Sequence, residues 1–265
     1  MPDGGGVVFV SHGSPMLPLE PGSAAPMLAD LGRELLRQGR PRAVLAWSPH
    51  WMTRGIAAGA SPRPPTLHDF HGFDPALQRL RYEVPGAPEL AAQVVALLQE
   101  AGLPAALDAR RGLDHGVWVP LQLMFPQADI PVVPLSMPWP LDAAGAWRLG
   151  SLLAPLREQG VLLLGSGSLT HNLHEFRAGA TVDDAPEDYV REFAIWVEEA
   201  IARGDTAALL DWRERAPQAR RAHPSDEHLL PLHWSLGAAG EALRPRRWHG
   251  GVHYGMLSMD AWTLS

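Results

Sequence analysis

Four short apolar runs punctuate the chain: GVVFVS (residues 6–11), AVLAWS (43–48), IPVVPLS (130–136) and GVLLLGS (160–166). Each is bounded by Gly, Pro or polar residues and lacks polar alternation, the pattern of strands covered on both faces. Between them lie stretches of helical period. In residues 185–205, Tyr189, Phe193, Trp196, Val197, Ala200 and Ile201 form one stripe behind an acidic first turn. Residues 88–102 start on Pro88 and end at Gly102, while residues 27–39 and 146–160 each close on a glycine. The segments SPRPPT (61–66) and LRPRRW (243–248) read as loop or strand entry, because proline disfavours interior positions. Alternating strands and helices predict a three-layer α/β/α fold around a mainly parallel or mixed sheet. No linker or repeat divides the 265 residues, so one catalytic-sized domain spanning 1–265 is expected.

The polar residues that interrupt this pattern are often histidines. Three apolar runs lead into a segment carrying one: VVFVSH ends on His12, AVLAWSPH on His50, and VLLLGSGSLTH on His171. In open α/β sheets the carboxyl ends of the strands border the ligand crevice, so equivalent strand ends would gather these imidazoles. His115 in GLDHGVW and His228 in the segment HPSDEHLLPLHW occupy comparable loop-like contexts. The block LHDFHGFD offers His68 and His71 either as pocket residues or as surface loop residues, whereas His223, His233, His249 and His253 read as structural or pocket-lining. Trp51 and Trp118, each beside a histidine segment, are candidates to wall a site for a flat ligand or simply to fill the core.

Composition narrows the chemistry. Without cysteine, any metal must be held by His, carboxylate or water, a donor set suited to non-haem Fe(II) or Zn. A formal charge of −7 and no basic block argue against nucleic acid. No run approaches a membrane span, and the first residues carry no export signal, so a cytoplasmic protein is expected. The GSGS stretch at 165–168 lacks the spacing and lysine of a P-loop; HNLHEF is not H-E-x-x-H; no G-x-S-x-G elbow exists.

Six blocks, SHGSPM, SPHW, TLHDFHGFDPAL, GLDHGVWVPL, GSGSLTHNL and EHLLPLHWSLGA, occur in order from residue 11 onward. Together they resemble the class III extradiol ring-cleavage dioxygenases of LigB type, in the 4,5-DOPA dioxygenase extradiol (DODA-like) branch, and the resemblance extends to about residue 260. It implies that His12, His50 and His228 are metal ligands, and that His115 and His171 are acid/base groups, with His171 sometimes counted as a fourth ligand. Better-known LigB enzymes use a carboxylate as third ligand, which keeps Glu227 open as an alternative.

The chemistry suits these residue types. Fe(II) on three protein ligands leaves positions for a chelating catechol and O2, and an imidazole can take up the catechol proton. Zn fits the same ligands but, being redox-inert, would mark the site without activating O2. A small catechol and O2 are the expected partners, with no nucleic acid or membrane; the oligomeric state stays open. The alternatives are a metal-dependent hydrolase or a non-enzymatic binding module on the same fold.

Overall fold

The computed structural model describes residues 5–240 and 244–264. Its strands are β1 (Gly6–Ser11), β2 (Ala43–Thr53), β3 (Ile56–Gly59), β4 (Ala105–Asp108), β5 (Val132–Pro138), β6 (Val161–Gly167), β7 (Arg246–Trp248), β8 (Val252–His253), β9 (Leu257–Ser258) and β10 (Ala261–Thr263). The helices are α1 (Ala24–Gln38), α2 (Pro88–Glu100), α3 (His115–Met124), α4 (Ala143–Leu153), α5 (Asp188–Ala202), α6 (Thr206–Leu210), α7 (Trp212–Arg215), α8 (Ala219–Ala222) and α9 (Leu230–Ala239). One eight-stranded sheet runs in the order β4-β3-β5-β2-β6-β1-β10-β7. The central pairs β5/β2, β2/β6 and β6/β1 are parallel, and antiparallel pairs β3/β5, β1/β10 and β10/β7 lie toward the edges. The four apolar runs are the four central strands. β7 opens inside LRPRRW, whose Leu243 lies outside the described residues.

Two adjacent residues of β6 show how the layers stack. Successive side chains in a strand point to opposite faces. A Cβ on Gly165 would lie 2.4 Å from the Pro231 carbonyl oxygen and 2.2 Å from Ser235 Oγ, both on α9. Ser166 Oγ instead donates to the carbonyl of Gly116 on α3. Helix α9, with α4 packed on it, therefore covers one face, and α3, with α1 beside it, covers the other. Gly165 lets α9 approach at backbone contact, and Trp234 from α9 stacks on Trp47 of β2 with ring centroids 5.7 Å apart. All ten residues of α9 are buried, so it carries no amphipathic stripe and the sequence pattern does not reveal it.

The 146–160 pattern becomes α4 followed by a 3-10 turn over Ala154–Gln159, since Pro155 removes an amide donor and ends the α-helix. Among the described residues no helix is long and apolar enough to cross a membrane.

Candidate metal centre and active site

Strand register brings the key loops level. β1 pairs with β6 as far as Ser11↔Gly167, and the His12 amide then donates to the Gly167 carbonyl at 2.9 Å. His12 thus follows the end of its strand as expected. His50 does not: β2 continues through it to Thr53, and no loop follows AVLAWS. Pairing with β6 stops at Trp47, and the register with β5 shifts between Trp47 and Met52, so the irregular stretch turns His50 toward the crevice without ending the strand. His115 likewise departs from its loop-like reading and is the first residue of α3. His171 follows β6, its amide bonded to the Ala222 carbonyl at 2.9 Å, and His228 precedes α9, its carbonyl accepting from the Ser168 amide at 2.8 Å.

All five histidines meet. The Nε2 atoms of His12 and His50 are 3.2 Å apart. His12, His50 and His228 each offer one ligand atom, all within 4.8 Å of one another. The His115 ring centroid is 4.0 Å from that of His50, and His171 stacks face to face on His228 at 3.6 Å. His171 also groups with Glu227 and His228 as a possible ligand set, apart from His12 and His50. Gly116 makes this convergence possible, because a Cβ there would lie 2.5 Å from Ser48 Oγ, 2.9 Å from His50 Cδ2 and 3.1 Å from His12 Nδ1.

Hydrogen bonds assign the lone pairs. Ser166 Oγ spends its proton on the Gly116 carbonyl, so at 3.0 Å it accepts from His12 Nδ1, leaving a lone pair on His12 Nε2. His228 Nδ1 donates to Glu227 Oε1 at 3.0 Å, and its Nε2 is buried with no hydrogen-bond partner among the described residues. His50 Nδ1 faces Asp69 Oδ2 at 4.0 Å, which favours the proton on that nitrogen and a lone pair on Nε2. Three lone pairs then converge in a buried space, an unfavourable arrangement unless a cation lies between them. Nitrogens sharing a metal at about 2.1 Å each would be about 3.0–3.4 Å apart, which the 3.2 Å His12–His50 separation matches. The donor set fits a divalent transition metal.

Burial disfavours the charged imidazolium and the neighbouring histidines add to this, so the pKa of His12 and of His228 is well below the ordinary value. Burial first, with His115 second, lowers His50 to about 3, and burial lowers His171 to about 4. His12, His50, His171 and His228 are therefore neutral near pH 7, the form that ligates metal.

Asp69 was not among the residues that sequence reasoning selected. It lies between His68 and His71, and its carboxylate accepts from both the backbone nitrogen and Nδ1 of His115. Burial alone would raise its pKa, but the hydrogen bonds and proximity of His115 outweigh that and hold it at about 2. His68 instead bonds the Leu80 carbonyl at 3.1 Å, and His71 is exposed; neither lines the cavity. Trp51 and Trp118 are also absent from the lining: Trp51 is buried under Arg111, and Trp118 donates to the Leu67 carbonyl. The aromatic walls are Phe70, Phe73, Phe176 and Tyr254, around a cavity of about 640 Å³ that all five histidines reach. Of the other five histidines, His223 and His233 bond backbone carbonyls in the core, His174 and His249 are exposed, and His253 is buried beside Gly22.

The chain is similar to known proteins along nearly its whole length. Residues 6–260 match the family described as the catalytic LigB subunit of aromatic ring-opening dioxygenase. The chain is 38% identical over 258 residues to the 4,5-DOPA dioxygenase extradiol of Beta vulgaris, covering 97% of this chain and 95% of that protein. It is 36% identical to the protein of the same name from Escherichia coli K12, covering 95% and 92%. An uncharacterized Escherichia coli K12 protein of known crystal structure superposes with a TM-score of 0.79 at 30% identity, covering 98% of this chain and 100% of that one.

Proposed function

The chain belongs to the LigB family and is an extradiol ring-cleaving dioxygenase, and from that premise we propose that it opens the ring of a catechol with O2, using Fe(II) held by His12, His50 and His228, with residues 1–265 acting as one catalytic domain. The observation that carries this reading is the convergence of three imidazole lone pairs, one of them the buried and otherwise partnerless His228 Nε2. Family membership favours it over a hydrolase or a binding module.

Fe(II), when bound, would supply the electronic path between a chelated catechol and O2. The remaining work falls to side chains. The Asp69 carboxylate can only accept, so the proton of a neutral His115 sits on Nδ1 and its Nε2 is a base facing the cavity. It takes the proton of a catechol hydroxyl as the substrate binds. His171, stacked on His228 and also lining the cavity, is the second proton-handling group. Glu227, bonded to His228 Nδ1, orients that ligand and raises its basicity without being needed as a ligand itself. The apolar walls flank the ring while the carbon–carbon bond beside the two hydroxyls breaks and both atoms of O2 enter the product, a muconic semialdehyde.

The test is anaerobic reconstitution with Fe(II), then addition of O2 with L-DOPA or caffeic acid. Stoichiometric O2 uptake with a yellow product is expected. No uptake across a panel of catechols would overturn the proposal.

A further inference from the structure

Besides the histidines, the polar side chains lining the cavity are Ser14, Glu20 and Tyr254. Glu20 is the one carboxylate there, and its partner is a neutral phenol: Tyr254 Oη donates to Glu20 Oε2 at 2.6 Å. Burial and the adjacent carboxylate push the Tyr254 pKa up, so the phenol keeps its proton and remains a donor. Among the described residues no guanidinium pairs with Glu20, and its charge is left for whatever enters the cavity. All 22 cationic side chains of the chain are arginines, and none lines the cavity. The N-terminus of α3 reaches the cavity at His115 and would be the natural site for an anionic arm. It is already taken, because Asp69 accepts from the His115 amide. Phe176 and Tyr254, both lining residues, pack edge to face with centroids 5.7 Å apart, so aromatic surface flanks the Glu20 carboxylate. A carboxylate beside aromatic faces, with no competing cation, is the chemistry that recognises an organic ammonium.

Resting on the ring-cleaving reading above, we propose that this cavity ranks its catechols by the charge of the ring substituent, with Glu20 as counter-ion: it favours catechols whose arm carries an ammonium group over those whose arm carries only a carboxylate. An ammonium arm meets Glu20 and the rings of Phe176 and Tyr254. A carboxylate arm of equal length meets like charge and no donor strong enough to compensate.

The experiment compares three catechols whose arms place their third atom at the same distance from the ring, with the Fe(II)-loaded enzyme: dopamine, 4-propylcatechol, and 3-(3,4-dihydroxyphenyl)propionate. The kcat/KM order should be dopamine, then propylcatechol, then the acid, with dopamine ahead of the acid by roughly tenfold or more, the scale of exchanging an attractive for a repulsive charge contact near a protein surface. In Glu20→Gln the dopamine-to-acid ratio should collapse toward one, chiefly through KM. Equal kcat/KM for dopamine and the acid, or a ratio unchanged in Glu20→Gln, would overturn the charge selection while leaving ring cleavage intact. If none of the three is turned over, ring cleavage itself fails. The charge ranking is then decided by equilibrium binding of the same three ligands to Zn-loaded protein, where equal affinities overturn it.

Discussion

Asp69 holds His115 at two points, accepting from the backbone nitrogen at 2.9 Å and from ring Nδ1 at 3.1 Å. The first contact fixes where α3 begins; the second fixes which ring nitrogen is free to act. Asp69→Ala removes both acceptors, so the ring can rotate and change tautomer. We expect kcat to fall by about 10–100-fold with KM nearly unchanged when the metal is kept saturating, the usual size of losing a carboxylate that orients a functional histidine. Asp69→Asn, which keeps an acceptor oxygen, should recover part of that loss. Steady-state O2 uptake and metal analysis on both variants decide it, and a change confined to KM would contradict it.

His115→Ala removes the proposed base. Turnover should drop by about 10²–10⁴-fold. Because His115 is outside the His12, His50 and His228 group, the variant should retain its metal. His12→Ala, His50→Ala and His228→Ala should each lose most of theirs. Stoichiometric metal in any of those three would remove that residue from the ligand set. His171→Ala, read the same way, separates a ligand from a proton-handling group.

The stability of the metal-free protein should rise with pH across the mildly acidic range. His233 is fully buried, both ring nitrogens facing carbonyl oxygens of Leu209 and Leu229, and burial lowers its pKa to about 4. An unfolded histidine titrates near 6.5, so between about pH 4 and pH 6.5 the unfolded chain binds more protons. His233 thus costs nothing above about pH 6.5, and its penalty grows as pH falls to about 4, reaching on the order of 3 kcal/mol. In His233→Gln the slope of unfolding free energy against pH should be shallower over this window, whatever the absolute stability. Parallel slopes in urea titrations at pH 7, 5.5 and 4.5 would refute it.

Gly165→Ala should cost about 1–3 kcal/mol, because the new methyl would meet the Pro231 carbonyl oxygen and α9 would have to withdraw from the sheet. Thermal unfolding of the variant measures this. An unshifted midpoint would mean α9 yields more easily than its close packing indicates.

The central strands were legible because each is a dense apolar run bounded by Gly, Pro or polar residues, and the histidines beyond them stood out as the polar exceptions. The edge was not legible. Ile56–Gly59 and Ala105–Asp108 are four residues each, and Arg246–Trp248 is three, too short for period or composition to register. Helix α3 escaped notice because most of its residues are buried and Pro120 lies inside it. The missed site residues share a different cause. Asp69 acts on a histidine 46 residues away, and Glu20 is bonded to a tyrosine 234 residues away, so neither role has any local signature. Trp51 adjoins His50 and Trp118 lies three residues after His115, but both are buried away from the cavity, since neighbours along a chain need not share a direction.

The hydrogen bond from Ser166 to the Gly116 carbonyl joins the segment that carries His115 to the imidazole of His12, and the close contacts of Gly116 with the Ser48, His50 and His12 side chains and of Gly167 with the His228 carbonyl leave that floor no slack. The opposite walls are built differently, from loop side chains such as Phe73, Leu173 and Phe176 that are largely open to solvent. The histidine cluster and this part of the rim thus lie on separate pieces of the chain, one closely packed and one exposed. Descendants of such a protein could change diet by exchanging rim residues over many generations while the inherited chemistry passed through untouched, and a directed-evolution library confined to those three positions would explore new aromatic substrates with little risk to the centre.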